Sequence, residues 1–348
     1  MSGISVHGLG AVSPAGWGVP ALRAALEGNI PLPTAPLVRP GLAEPLRVRP
    51  VPPPAVRPGF LAHPRLRRAS PLAQHVVAAG LEALGDDAKL VQAGALRLGL
   101  IICTMAGSVA YSRRFYEEVL RDPATASPLI FPETVFNAAG SHLAAFLGST
   151  EINYSIVGDD GTFLQGLALA AQWLAQDRVD GCVVVGAEEL DLIVADALRL
   201  FHRAAIHSAG AGALYLKSGN RNSQLGTELS CITDSFLFTA KQNRTLAARK
   251  MRDQLAPRDE HGALCLSTQN IGQRDAAELA AWANWPGPRL APKTVLGEAF
   301  AAAAAWQCVA ACDAVQSAKF SAVNVSVVGA NQQAIGARFL KSETIPLP

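Results

Sequence analysis

The sequence predicts an α/β protein in which buried strands alternate with helices. Of its 348 residues, 50% are hydrophobic and 17% are charged, a balance that is typical of a compact chain with a large core. Residues 152–188 show the alternation most clearly. There a short β-prone run is followed by a tight turn, an Ala/Leu-rich helix and a buried strand at 183–185.

The first half of the chain extends this alternation. A first strand followed by a Gly-Leu-Gly turn is predicted within 4–14. Further strands are predicted at 96–103, 154–157, 183–185 and 210–216, and helices at 19–27, 70–84, 111–120, 162–174 and 192–203. Gly8-Leu9-Gly10 predicts a turn after the first strand. It is not a dinucleotide-binding loop, because Ser13 stands where the third glycine of G-x-G-x-x-G belongs. The Pro- and Arg-rich residues 31–58 predict an irregular surface segment.

The second half follows a polar turn at 217–222. An apolar run begins near Leu229, and a basic helix is predicted at 241–255. A strand at 263–266 comes next, then an Ala-rich helix from residue 299.

Composition argues against several classes of function. The formal charge of +2 gives no reason to expect a nucleic acid partner, and no apolar run approaches the roughly 20 residues that span a bilayer. The first residues do not form a signal peptide, and the six cysteines show no CxxC spacing. Cys308 and Cys312 are expected to be buried thiols rather than a metal pair. We therefore expect a cytoplasmic protein with no metal and no cofactor.

The turn at 158–161 has the form of a nucleophile elbow. A strand that turns sharply into a helix presents one residue, here Asp160, in front of the N–H groups of the helix. From Asn137 to Glu188 the sequence resembles, without a gap, the elbow region of the β-ketoacyl-acyl-carrier-protein synthases. The resemblance implies the thiolase fold, in which two duplicated βαβαβαββ halves form a five-layer αβαβα sandwich. Here the halves are expected at 1–218 and 219–348.

The same resemblance implies a degenerate catalytic site. Family members use a cysteine nucleophile, two histidines and a supporting lysine. Here Asp160 stands at the cysteine, Ser267 and Glu298 stand at the two histidines, and Lys293 is retained. His261 is a rival for the position of the first histidine. In the family this histidine follows an apolar strand, whereas His261 precedes the strand at 263–266. A carboxylate cannot hold an acyl group as a usable thioester.

Further positions are assigned by resemblance to the family's pocket, gate and interface. Thr162 and Phe163 are assigned to the pocket. Val327 stands at the gating phenylalanine of a glycine-rich turn in which Gly329 and Asn331 are retained. Ile130, Phe131 and Phe136 fall in the segment that reaches across the family's dimer interface toward the partner's acyl tunnel. For Ile130 and Phe131, a role as simple core anchors is the alternative.

These assignments predict a catalytically silent subunit that resembles a chain length factor. Such a subunit pairs with an active ketosynthase and shapes its acyl tunnel. The stretches FPETVFNA and LGEAF look most like the subunits of bacterial aryl-polyene clusters. An acyl carrier protein is the second expected partner, docking on Lys241, Arg244, Arg249 and Arg252, unless these residues form only a solvated helix face.

Two alternatives stay open from the sequence. Asp159, Asp160 and Glu298 form a carboxylate set that suits a thioesterase or a malonyl decarboxylase, if one carboxyl has a raised pKa. The other alternative is a homodimeric protein that binds acyl chains or carrier proteins without catalysis.

Overall fold

The computed structural model describes residues 3–38, 40–41, 44–219, 226–239, 241–255, 262–330 and 332–342, with the side chains of 241 and 242 left out. The strands in these ranges are β1 (Ile4–Ser13), β2 (Gly16–Trp17), β3 (Ala35–Leu37), β4 (Leu46–Arg49), β5 (Leu98–Thr104), β6 (Asn153–Val157), β7 (Gly181–Glu188), β8 (His207–Ser208), β9 (Gly210–Ser218), β10 (Thr227–Ile232), β11 (Phe236–Leu237), β12 (Ala263–Cys265), β13 (Arg289–Leu290), β14 (Ala322–Val328) and β15 (Gln333–Lys341). The α-helices are α1 (Val19–Gly28), α2 (Pro71–Leu84), α3 (Asp87–Gln92), α4 (Val109–Arg121), α5 (Ala138–Leu147), α6 (Thr162–Ala175), α7 (Leu192–Phe201), α8 (Lys241–Leu255), α9 (Gly272–Ala281), α10 (Pro292–Leu296) and α11 (Phe300–Gln316).

The main sheet contains the same strand arrangement twice. Its order is β13-β12-β14-β15-β10-β1-β9-β7-β5-β6. When the strands are numbered within each half, both β6-β5-β7-β9-β1 and β13-β12-β14-β15-β10 read 3-2-4-5-1. The two units join where β1 runs antiparallel to β10. We propose that the halves divide at residues 218/219, between β9 and β10.

The helices complete five layers. The central helices α6 and α11 contact each other and the strands of both units. On the outer faces, α2 and α5 pack on one unit, and α8 and α9 pack on the other. Because α11 lies between the two units of the main sheet, nearly all of its residues are buried, which explains its run of alanines. The predicted αβαβα sandwich is confirmed.

The first strand differs from the prediction at its glycines. Gly8-Leu9-Gly10 does not form a turn but lies inside β1. A Cβ atom on Gly10 would lie 1.9 Å from the carbonyl oxygen of Ala79 in α2, and one on Gly8 would lie 1.7 Å from that of Ala83. The predicted turn is therefore wrong. These glycines allow the backbone of α2 to pack directly on the strand.

The Pro-rich segment is also more ordered than predicted. Strand β3 pairs antiparallel with β4, and β4 pairs in parallel with β8. Leu46 and Val48 are buried while Arg47 between them is exposed, which is the alternation of a half-buried strand. The prediction of a wholly irregular segment missed this because Pro36 discouraged a strand assignment. Proline is compatible with a strand at a sheet edge, where β3 lies.

Candidate functional site

The elbow residue Asp160 lies in the turn between β6 and α6. The turn is closed by the backbone N–H of Thr162, which donates to the carbonyl oxygen of Asp159 at 2.9 Å. Asp160 itself is fully buried. The residue at the nucleophile position therefore faces protein rather than solvent.

Lys293 lies on α10 and joins two of the predicted site positions. Its Nζ donates to Asp160 Oδ2, and also to Glu298 Oε1 at 3.0 Å and Oε2 at 3.2 Å. The lysine is buried together with both carboxylates. The structure thus brings Asp160, Lys293 and Glu298 into one group.

Glu298 is held in place by its own backbone. Its N–H donates to Ile206 O at 2.8 Å, and its carbonyl accepts from Ser208 N at 2.8 Å. Gly297 precedes it with φ 92°, and a Cβ there would lie 2.7 Å from Ile206 O, so this position requires glycine. The Glu298 side chain then accepts from Phe300 N at 2.8 Å.

Two further side chains complete the site, and sequence reasoning assigned no role to either. Arg274 Nη2 lies 2.5 Å from Glu298 Oε2 and 3.9 Å from Asp160 Oδ2. The amide of Gln269 donates to the same Glu298 oxygen. Arg274 stands four positions before Glu278 on α9 and therefore shares its buried helix face, which is the signal that could have identified it.

Asp160, Arg274, Lys293 and Glu298 are called the charge network below. The four side chains carry two positive and two negative charges and are between 0 and 6% exposed. Burial acts to raise the pKa of Glu298, but the charges of Lys293 and Arg274 outweigh it and hold that pKa below its ordinary value. Burial likewise acts to lower the pKa of Lys293, and the charges of Asp160 and Glu298 leave it raised instead. The network is therefore a set of buried ion pairs.

Asp159 does not belong to the charge network. Its Oδ1 accepts from Gly161 N at 3.2 Å and from Gln333 Nε2 at 2.9 Å. Its Oδ2 occupies the space where a side chain on Gly329 would stand, since a Cβ there would lie 2.1 Å away. Burial and the neighbouring Asp160 charge raise the pKa of Asp159. Gly329 thus gives room to a carboxylate.

Ser267 is directed away from the charge network. Its hydroxyl donates to Glu278 Oε2 at 2.7 Å and accepts from Val328 N at 3.1 Å. Ser326 donates to the other oxygen of Glu278. Burial raises the pKa of Glu278 to about 7, although the serine hydrogen bonds act in the opposite direction. Ser267 therefore anchors a buried carboxyl, and its hydroxyl is hydrogen-bonded to Glu278 and Val328 rather than to the charge network.

The pocket and gate assignments need two corrections. Val327 lies inside β14 opposite Ile335, so it is a strand residue and not part of a gating turn. Phe163 is fully buried in the hydrophobic core, which favours a core role over a pocket role. Thr162 does line a groove of about 380 Å³ in front of the elbow, but none of the network residues lines it. Asn331 lies outside the described residues, as does His261.

The three predicted interface residues separate into two environments. Ile130 is buried within its own chain, which favours the core-anchor interpretation for that residue. Phe131 and Phe136 are about half exposed. They lie near the exposed Leu129 and Val135 in sequence, so this segment presents apolar side chains to solvent.

The basic residues of α8 do not form one continuous docking face. Arg244 is partly buried, and its guanidinium donates to Gly329 O at 2.8 Å, so its charge points inward. Arg252 donates to Ala281 O at 2.8 Å and also binds Asp253. Arg249 is exposed, and the side chain of Lys241 lies outside the described residues. The predicted four-residue surface is therefore wrong for Arg244 and Arg252.

Within the described ranges, no group of three or more His, Cys, Asp or Glu side chains could hold a metal ion. All six cysteines are free thiols. None of the helices in the described part of the chain has the length and apolar character that a bilayer crossing requires.

Solved structures resemble this architecture over nearly its whole length. The ishigamide ketosynthase/chain length factor is 18% identical, with 98% of this chain and 100% of that chain covered and a TM-score of 0.79. A β-ketoacyl synthase from Burkholderia phymatum is 15% identical, with 99% and 100% covered and a TM-score of 0.81. A third structure is a type II polyketide synthase acyl-carrier protein in complex with its ketosynthase bound to the hexaketide. One of its chains is 14% identical to this chain, with 97% of this chain and 99% of that chain covered and a TM-score of 0.78.

By sequence, no family model and no curated protein matches the chain. The likeness to these solved structures and the repeated 3-2-4-5-1 strand order both indicate the same duplicated fold. The chain has the thiolase fold of the β-ketoacyl synthases and chain length factors.

Proposed function

We propose that this protein is a catalytically silent, ketosynthase-like subunit that acts as a chain length factor. It pairs with an active β-ketoacyl synthase and helps to set the depth of that enzyme's acyl tunnel. The observation that carries the proposal is the charge network, because Asp160 at the nucleophile position is buried in ion pairs with Lys293 and Arg274.

The chemistry of condensation requires a nucleophile that stores an acyl group. If the Asp160 carboxylate attacked a thioester, the product would be a mixed anhydride, which water hydrolyses. Moreover, a carboxylate paired with a buried lysine is a weak nucleophile, since attack would separate the ion pair. Both arguments support a silent subunit.

The geometry is unfavourable to the thioesterase and decarboxylase alternatives. General acid catalysis near neutral pH needs a carboxyl with a raised pKa at the reaction centre. Glu298 has a lowered pKa, and Lys293 separates it from Asp160. Asp159 has a raised pKa, but its carboxyl is bound to Gln333 and packed against Gly329. We therefore rank these activities below the silent-subunit role.

We propose that the partner ketosynthase binds along β6. This strand is an edge of the main sheet, and its Tyr154 and Val157 are half exposed. An unpaired strand edge with apolar side chains is a ready site for pairing with another chain. The exposed Phe131 and Phe136 would extend this surface. A homodimer through the same edge is the alternative.

Acyl carrier proteins are the second proposed partners, with the exposed Arg249 as the clearest basic contact on α8. Polyketide, aryl-polyene or fatty-acid-like biosynthesis in the cytoplasm is the proposed setting. The solved complex in which a ketosynthase of similar fold is bound to a hexaketide and to its acyl-carrier protein supports this setting.

A condensation assay tests the proposal. The purified chain is expected to form no β-ketoacyl product from an acyl thioester and malonyl-acyl carrier protein. Its complex with a ketosynthase that contains cysteine and both histidines is expected to form product. Condensing activity of the chain alone would refute the proposal.

A further inference from the structure

A second polar site lies apart from the charge network. A pocket of about 250 Å³ is formed between β4, the end of α7 and the residues that follow this helix. Three arginines line it: Arg47 comes from the strand, Arg199 from the helix and Arg203 from the segment after it. None of the four network side chains lines this pocket.

These arginines are available to a ligand. Arg199 and Arg203 make no ion pair with any residue that the structure describes. Arg47 donates from Nε to Thr34 Oγ1 at 2.9 Å, which leaves its two terminal amino groups for other contacts. Glu44 is the one carboxylate among the lining residues, so three positive charges and one negative charge leave a balance of +2.

The remaining lining is suited to a small ligand. Leu46, Ala195 and Ile206 provide apolar walls. His207 also lines the pocket and is 2% exposed, and its Nε2 has no hydrogen-bond partner of good geometry among the described residues. Burial lowers the pKa of His207, with the carbonyl groups of Glu298 and Glu189 offsetting part of the effect, so the ring is neutral at pH 7. The one N–H of the neutral ring lies on Nδ1, which donates to Glu298 O at 3.2 Å, so Nε2 is an acceptor and takes a hydrogen bond from a protonated phosphate oxygen.

We propose that this pocket binds a phosphate group, either as free phosphate or as a phosphate ester. The planar guanidinium fork matches the spacing of phosphate oxygens and binds two of them at once. A dianion also balances the charge of the pocket. This site is independent of the proposed partner-subunit role.

The pocket has a direct connection to the charge network. Its wall at 206–208 is the segment whose backbone hydrogen bonds hold Glu298 in place. A ligand that binds both this wall and the arginines would hold Glu298 more firmly. Binding is therefore expected to stabilise the folded chain by mass action.

Calorimetric titration tests the proposal with two probes, inorganic phosphate and coenzyme A. The double variant Arg199→Gln/Arg203→Gln removes two guanidiniums from the pocket. The matched control Arg65→Gln/Arg67→Gln removes two exposed guanidiniums that lie away from the pocket lining. We expect saturable binding that weakens roughly tenfold or more in the pocket variant and changes less than about twofold in the control.

The two probes separate the sources of phosphate. Tighter binding of coenzyme A than of inorganic phosphate identifies a phosphate ester as the ligand, and equal affinity identifies free phosphate. The proposal is overturned if neither probe saturates, or if the pocket variant binds as well as the unmodified chain.

Discussion

Lys293 donates hydrogen bonds to two carboxylates at once, and all three side chains are buried. Replacing a buried ion-pair partner leaves an uncompensated charge, whose cost is greater than the net stability of the pair itself. The residues of the charge network are therefore coupled. The consequences of changing one of them depend on which charges remain.

Replacement of Lys293 by methionine tests this coupling. Lys293→Met leaves Asp160 and Glu298 with only Arg274, and we expect a loss of about 3–5 kcal/mol in the free energy of unfolding, measured in urea. Lys319→Met, at an exposed lysine, is the control and should change stability by less than about 0.5 kcal/mol. Adding Asp160→Asn to Lys293→Met should recover part of the loss. A single-variant loss below about 1 kcal/mol would contradict the buried ion-pair arrangement.

Restoring the family nucleophile tests the other site assignments. Asp160→Cys is expected to give no condensation, because Ser267 and Glu298 stand at the two histidine positions. The product is sought by mass spectrometry, with an active ketosynthase as the positive control. Since position 160 is buried, the new thiol should react with iodoacetamide only after unfolding. Recovered synthase activity would show that Ser267 and Glu298 are misassigned.

Glu278 makes stability depend on pH. Its pKa is about 7 in the folded chain, compared with an ordinary value of 4.5. Between these values only the folded state holds the proton, so a rise in pH favours unfolding, by about 1.4 kcal/mol for each pH unit. From pH 4.5 to 8 the unmodified chain should lose about 3 kcal/mol more stability than Glu278→Gln.

Urea unfolding at several pH values in this range measures that difference. Other buried groups titrate alike in both proteins and therefore cancel. The exposed-site variant Glu151→Gln should give a curve parallel to that of the unmodified chain. If Glu278→Gln is also parallel, the pKa of Glu278 is not raised.

Among the elements, β1 and α2 show how close backbone contact is built into the sequence. Gly10→Ala would place a methyl group against the carbonyl oxygen of Ala79, so the helix must move. We expect a loss of about 3 kcal/mol or more in the free energy of unfolding. Gly59→Ala has no atom within 4 Å of the new Cβ and should change stability by no more than about 1 kcal/mol. Equal effects of the two substitutions would contradict the β1–α2 packing.

The elements could be predicted where hydrophobic periodicity was strong. Helix 162–174 and strand 154–157 were predicted close to their observed bounds. Gly8-Leu9-Gly10 was assigned to a turn because glycine permits turns. In the structure these glycines are required because the backbone of α2, from elsewhere in the chain, packs directly against them. β3 and β4 were missed because the segment is rich in proline and because β4 pairs with β8, about 160 residues later. Such long-range contacts leave no local signal.

The site was predictable where the resemblance to the β-ketoacyl-acyl-carrier-protein synthases assigned its positions. Asp160, Lys293 and Glu298 were assigned in this way, and the structure brings these residues together. Arg274 and Gln269 were missed because polar residues on a helix or loop usually face solvent. Only the tertiary arrangement turns them toward Glu298.

For the whole molecule, the decisive question is what covers the edge of β6. Native mass spectrometry after co-expression with an active ketosynthase measures the composition of the complex directly. Tyr154→Asp/Val157→Asp places charges on that edge, and Leu246→Asp places one on an exposed position of α8 as the control. We predict a one-to-one complex that is lost in the β6 variant and retained in the control. A homodimer without ketosynthase, or a complex that survives the β6 substitutions, would contradict the proposed role.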